Sequence, residues 1–238
     1  MKKKTNIASF CVTERERERE RERENLKNRK NRIDGLKLLT LLDDNSVKCS
    51  FFDPQYRGIL DNLKYGNEGQ TRGKSRHELQ QMTETTIVEF IDGLNRVISP
   101  SGYLFLWVDK FHLCQGTLSW LVNTNLKIVD MITWNKCRMG MGYRSRRLSE
   151  YLIVIQKEPI KARSTWTDHS IPDIWDEKID KKVHTHQKPI GLIKRLIEAT
   201  TIEGDLICDP AAGSYVVLEA CRSSHRNFIG GDIKYGED

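Results

Sequence analysis

From Arg32 onward, short apolar runs of strand length alternate with segments whose apolar positions recur at helical spacing. Leu36, Leu38, Leu39, Leu41 and Leu42 predict a short helix. Val47–Phe52 predicts a buried strand running into Asp53. Thr83 to Val97 is amphipathic, with Ile87, Phe90, Ile91 and Leu94 on one face and Thr83 placed to cap it. Ser99 to Gly102 predicts a turn, Tyr103–Val108 a strand, Gln115 to Leu121 a helix and Lys127–Trp134 a strand. Tyr151–Gln156 is again strand-like, and Pro189 to Ala199 helical. Asp205–Cys208 is a short buried strand, Ser214 to Cys221 the helix after it, and Asn227–Ile233 a last strand. This alternation predicts an α/β fold: a Rossmann-like, doubly wound, mostly parallel sheet covered by helices on both faces.

The polar stretches between these elements divide the chain further. Residues 1–29 form a charged arm, with Lys2-Lys3-Lys4 at its start and strict Glu-Arg alternation from Glu14 to Glu24. That alternation sets like charges at i,i+4 and opposite charges at i,i+3, which predicts a solvated, fraying helix or coil. The codons GAG and AGA encode Glu and Arg, so a GA dinucleotide tract would translate as this repeat. Such a tract can slip in copying, and an on/off expression switch is the corresponding expectation; mixed codons would remove it. Residues 30–238 read as a single domain. Within it, 65–77 and 136–147 are Gly- and Arg-rich loops, and 158–186 lack a clear period but carry Trp166 and Trp175.

A length of 238 residues fits one α/β domain with a well-buried core. The net charge of +6 is compatible with a polyanionic partner without requiring one. Cys11, Cys49, Cys114, Cys137, Cys208 and Cys221 are scattered, with neither C-x-x-C pairs nor histidines at zinc spacing, so no metal is expected and reduced thiols in a cytoplasm are. No apolar run is long enough to cross a membrane, and nothing resembles a signal peptide.

Two strand-ending loops carry candidate chemistry. In Asp209-Pro210-Ala211-Ala212-Gly213-Ser214, a tight turn precedes a helix and offers free backbone N–H groups to a ligand. Asp232, at the end of the next strand, lies where an acid accepts hydrogen bonds from ribose hydroxyls. The loop lacks both G-x-G-x-x-G and G-x-x-x-x-G-K-[ST], which argues against dinucleotide and nucleoside triphosphate cofactors. In Asp53-Pro54-Gln55-Tyr56, the Asp53 carboxylate and the Pro54 carbonyl could accept hydrogen bonds from an exocyclic amino group. They would draw its nitrogen toward tetrahedral geometry and free the lone pair for attack on a methyl sulfonium. Tyr56 could stack on the base, which must first leave the duplex.

Taken together, these residues resemble the β-group DNA amino-methyltransferases, in which the catalytic motif precedes the cofactor motif. The similarity spans about residues 32–235. Asp53-Pro54-Gln55-Tyr56 is similar to the family's D-P-P-Y, and Asp209 to Ser214 to its D-P-F-x-G-S. Arg147 to Lys157 (RLSEYLIVIQK) resembles the segment ending in a strand beneath the target-base pocket. His186-Gln187-Lys188-Pro189 resembles H-x-x-K-P, which lines the cofactor site, and Phe228 to Asp232 the strand whose acid holds the ribose. Gln55 departs from the second proline of the motif; Ala211 and Tyr215 depart from the usual Phe and Gly.

The resemblance implies methyl transfer from S-adenosylmethionine, yielding S-adenosylhomocysteine, to adenine N6 in a short motif of double-stranded DNA with a flipped base. It implies Asp53, Pro54 and Tyr56 as catalytic residues. Asp53, Asp209, Pro210, Ala211, Gly213, Ser214, Asp232, His186 and Lys188 would bind the cofactor. Arg57, Arg72, Lys74 and Arg76, in or flanking the first basic loop, and Lys136, Arg138, Arg144, Arg146 and Arg147 of the second are the expected phosphate contacts. Residues 158–183 take the place of a short target-recognition segment. A separately encoded restriction endonuclease is the implied partner, and a homodimer fits the family's habit. Alternatives are cytosine-N4 methylation, a catalytically silent DNA-binding subunit of this fold, and methylation of an amino or amide group in protein or RNA.

Overall fold

The computed structural model describes residues 7–55, 82–140, 145–180 and 187–238, without the side chains of 7–13 and 15. In chain order the elements are α1 (Ile7–Leu26), α2 (Gly35–Leu41), β1 (Val47–Phe52), α3 (Glu84–Val97), β2 (Ile98–Val108), α4 (Lys110–Gln115), a 3-10 turn (Leu118–Leu121), β3 (Leu126–Asn135), β4 (Ser149–Lys157), β5 (Ile174–Asp176), α5 (Ile190–Thr200), β6 (Leu206–Asp209), α6 (Val216–Ser223) and β7 (Asn227–Gly230). The strands form a seven-stranded sheet in the order β5-β3-β4-β2-β1-β6-β7.

Every neighbouring pair is parallel except at β4, which runs against both β2 and β3. The first turn of β4 therefore lies at the same sheet edge as the C-terminal ends of the other strands. That edge is where open α/β sheets bind ligands.

The sheet is buried on both faces. On one, Phe51, Phe105, Trp107, Trp134 and Val154 pack against α5 and α6. On the other, Phe52, Leu104, Leu106, Ile153 and Cys208 pack against α2, α3 and the 3-10 turn. The predicted amphipathic helix is α3, and its Ile87, Phe90, Ile91, Leu94 and Val97 are buried. Each contributes about 1.5–3 kcal/mol relative to exposure. Thr83 caps it by accepting a hydrogen bond from the Thr86 N–H at 3.1 Å.

Several elements differ from the sequence expectation. The helix expected at Gln115–Leu121 is split. Asp109 starts α4 earlier by accepting from the Phe111 and His112 N–H groups, and Gly116 ends it at φ 94°. The turn expected at Ser99–Gly102 is an irregularity inside β2, which already pairs with Val47 at Ile98; Ser101 takes φ 62°. The stretch without a clear period contains β5, parallel to β3. Trp166 and Trp175 serve as packing anchors there, partly buried against the α5/α6 core.

The Glu-Arg repeat lies within α1. Its side chains are largely exposed, but Arg19 donates to the Thr40 carbonyl and Arg23 pairs with Asp43, while Leu26 packs on the α2/α3 core. The segment after it is built into the sheet end: Asn31 bridges Gly231 and Glu237, and its side chain donates to the Gly230 carbonyl at 2.9 Å.

Candidate active site

β1 and β6 are adjacent and parallel, with Ser50 opposite Cys208. Asp53 and Asp209, each at the end of its strand, therefore emerge side by side at the ligand-binding edge. The loops that the sequence separates by more than 150 residues are neighbours in space.

Asp53 is held in a chain of alternating charge. Lys188, from the turn before α5, places Nζ 2.9 Å from Asp53 Oδ2 and 2.8 Å from Glu150 Oε2. Glu150 opens β4 opposite Trp134 and also pairs with Lys136. Each ammonium sits over an indole ring, Lys188 over Trp107 at 4.9 Å and Lys136 over Trp134 at 5.5 Å.

The charge states follow from these contacts. Burial raises the Asp53 carboxyl above its usual range; Lys188 opposes this and Glu150 adds to it. Burial would raise Glu150 as well, but Lys188 and Lys136 outweigh it and hold Glu150 at about 2. Lys188 is raised, because its two carboxylates overcome its desolvation.

The cofactor-type loop is organised differently. Asp209 is buried, and its Oδ1 accepts from the Ala211 N–H at 3.3 Å. Burial, with added repulsion from Asp53 and Asp232, raises it to about 8. Gly213 sits at φ 46°, and its N–H donates to Asp232 Oδ2 at 3.2 Å. Asp232 Oδ1 accepts from the Lys234 and Tyr235 N–H groups at 2.8 Å each. These contacts turn the chain away after Gly230, earlier than the expected strand end at Ile233. They fill about three of a carboxylate's roughly four acceptor positions, so Asp232 shapes the loop and keeps room for about one further donor.

Tyr215 does not line the loop as a replacement aromatic. It is 1 % exposed, edge-on to Phe228, and its hydroxyl donates to the Asn31 carbonyl at 2.8 Å. Its φ of 57° is the left-handed conformation that favours glycine, and this residue delays α6 to Val216. Gly35 packs beneath the loop so closely that a Cβ would fall 2.0 Å from the Pro210 carbonyl oxygen. Pro210 is buried, whereas Ala211, Gly213 and Ser214 are partly exposed.

The structure thus brings together Asp53, Pro54, Lys188, Asp209, Pro210, Ala211, Gly213, Ser214 and Asp232 along one sheet edge. Lys136, expected to contact phosphate, is instead tied to Glu150. Arg138 and Arg146 are exposed and Arg147 partly so. Their loop is closed at its neck by Lys136 N–H to Leu148 O and Gly140 N–H to Arg147 O hydrogen bonds. Tyr56, Arg57, Arg72, Lys74, Arg76, Arg144 and His186 lie outside the described residues. Sequence reasoning missed Glu150 and Trp107 as site residues; the acid at the head of the RLSEYLIVIQK strand was the available signal. Among the described residues no cluster of metal-ligating side chains occurs, and no helix is long and apolar enough to cross a membrane.

Comparison with known proteins gives a consistent result. The DNA methylase family of N6 and N4 enzymes matches residues 47–237. Type II methyltransferase M.HhaII of Haemophilus parahaemolyticus is 59% identical over 212 residues, covering 89% of this chain and 93% of that relative. Type II methyltransferase M2.DpnII of Streptococcus pneumoniae is 26% identical, covering 84% and 83%. Among solved structures, the M1.HpyAVI–SAM complex superposes with a TM-score of 0.61 at 18% identity, covering 88% of this chain and 94% of that one. PvuII DNA methyltransferase (cytosine-N4-specific) gives 0.65 at 14% identity, covering 85% and 80%. At these identities the structural likeness establishes the fold alone.

Proposed function

The chain belongs to the N6/N4 DNA methylase family, and from that premise we propose that it methylates the N6 amino group of adenine in a short duplex DNA motif. The observation that carries this reading is the juxtaposition of Asp53 with Asp209 and the Gly213 loop at one sheet edge. A buried Asp209 carboxyl raised further by the neighbouring Asp53 and Asp232 favours a cationic ligand over a phosphate-bearing one. S-adenosylmethionine fits that requirement and supplies an electrophilic methyl group.

Asp209, the Gly213 N-terminal turn of α6 and the remaining acceptor position of Asp232 would hold the cofactor. Asp53 and the Pro54 carbonyl would accept the two hydrogens of the target amino group, orient its lone pair and stabilise the charge that develops on nitrogen. Lys188 fixes the Asp53 carboxylate from behind. The aspartate opening the tetrapeptide resembles the adenine-N6 members, whereas cytosine-N4 members more often begin with serine.

Arg138 and Arg146, both exposed, would meet phosphates in this reading. If each contacts one phosphate, Arg138→Ala with Arg146→Ala reduces the slope of log K against log salt by about 1.8; an unchanged slope removes these contacts. The described part of 158–180 packs against the core through Trp166 and Trp175, which leaves the two basic loops as the main candidates for reading the motif. A bacterial cytoplasm and a separately encoded nuclease accompany this reading.

Single-nucleotide methylation mapping of DNA from cells with and without the gene tests it. N6-methyladenine in one motif, lost on Asp53→Ala, is the expected result. N4-methylcytosine would change the target base, and no gene-dependent mark in expressing cells would sink the DNA reading.

A further inference from the structure

Asp53 and Glu150 compete for one ammonium group. Lys188 Nζ stands almost equally far from both, at 2.9 and 2.8 Å, with the Trp107 ring on a further side. Lys188 is 13 % exposed at its side chain, so water offers it little alternative. Glu150 is itself fixed: β4 sets it opposite Trp134, and Lys136 holds its other oxygen.

We propose that Glu150 is a positioning residue that shares Lys188 with Asp53, and so leaves Asp53 an acceptor oxygen for the target amino group. The role rests on the reading of Asp53 as that acceptor. An ammonium carries three protons and no directional preference between carboxylates. With Glu150 present, its attraction is divided. With Glu150 neutral, Lys188 turns its full charge on Asp53, and the oxygen meant for the amino group is occupied by a stronger competitor.

Among the described residues, the charged groups facing Asp53 are Lys188 from the turn before α5, Glu150 from β4, Lys136 from the end of β3 and Asp209 from the end of β6. Their effects have opposite signs. Glu150 disfavours the Asp53 anion and Lys136 favours it.

The test compares Glu150→Gln, Glu150→Asp and Lys136→Met in the full chain. The readouts are the pH profile of kcat, the S-adenosylmethionine Kd, and a carbon-13 NMR titration of the Asp53 carboxyl. Glu150→Gln is expected to lower kcat roughly tenfold to a hundredfold, the scale for misplacing a reacting group, while Kd changes less than about threefold. Its acid limb and the Asp53 NMR midpoint move to lower pH. Glu150→Asp, which keeps the charge, restores most of the shift. Lys136→Met moves both to higher pH. A Glu150→Gln enzyme whose acid limb and NMR midpoint stay in place overturns the proposal even if kcat falls, because a merely structural defect lowers activity without moving either. Should that variant not fold, Lys136→Met decides: an upward shift supports the proposal and no shift overturns it. Failure of the functional reading looks different, since the wild-type chain would then methylate no DNA while the Asp53 midpoints still shifted as stated.

Discussion

Two stretches of the same sheet edge treat their carboxylates in opposite ways. Around Asp53 the charges alternate: Asp53, Lys188, Glu150 and Lys136 form a continuous chain, with indole rings beneath the ammoniums. One strand away, Asp209 has a backbone N–H for a partner and carboxylates for neighbours, and the carboxyl is pushed up to about 8. Asp232 is likewise satisfied by backbone N–H groups. Internal cations fix a side chain whose position matters before any ligand arrives. A carboxyl that meets no cation among the described residues keeps its proton, and a positively charged ligand favours its ionised form. The first arrangement suits orientation of an amino group, and the second suits binding of a sulfonium.

The sharpest way to separate the two regions is Asp53→Ala. Turnover should fall by at least about 10³-fold, while calorimetric cofactor affinity stays within a few-fold of wild type. Retained turnover would remove Asp53 from the chemistry.

Lys188→Met attacks the paired region through stability. It leaves Asp53 and Glu150 facing each other without a cation, and a broken buried pair costs 3–5 kcal/mol or so. Solvent reaches both carboxylates in part, so a loss of about 3 kcal/mol is expected in urea unfolding. A loss below about 1 kcal/mol would mean that the chain is solvated like a surface ion pair.

The unpaired region should reveal itself in pH dependence. Asp209 lies at about 8 in the fold against 3.8 ordinarily. The folded chain thus keeps a proton that the unfolded chain gives up, and the contribution of Asp209 to stability falls as pH rises from about 4 to about 8. A cationic cofactor favours the ionised form. Binding should therefore release a proton, and affinity should strengthen toward pH 8 by up to about tenfold per unit. Calorimetry in buffers of different ionisation enthalpy measures that proton; its absence, or its persistence in Asp209→Asn, contradicts the assignment.

The smallest effect concerns how the cofactor-type loop is anchored. Tyr215→Phe removes the hydrogen bond to the Asn31 carbonyl and should cost about 1 kcal/mol in thermal unfolding. No change would show that edge-on packing on Phe228 alone holds the left-handed Tyr215.

Much of this was legible in the chain itself. Local patterns are set by short-range physics, so Val47–Phe52, the Thr83 cap, the buried face of α3 and the strand before the Gly213 turn could be read directly. The two chemical loops were visible because strand-ending Asp-Pro turns carry their meaning in adjacent residues. Lys188 could be picked out by its motif but was assigned to the cofactor, and Lys136 was assigned to phosphate. Neither assignment could include the carboxylate partners that the fold brings to them. Glu150 was harder still. In an all-parallel sheet the first residues of β4 would lie at the far edge from Asp53. Only the antiparallel pairing of β4 with β2 and β3 returns them to the active edge. Local pattern along the chain specified most of the elements, the order of the motifs and the family they resemble. Strand direction and neighbour choice, and with them which charges meet, were decided by the tertiary structure, because they follow from burying both sheet faces at once and leave no local pattern along the chain.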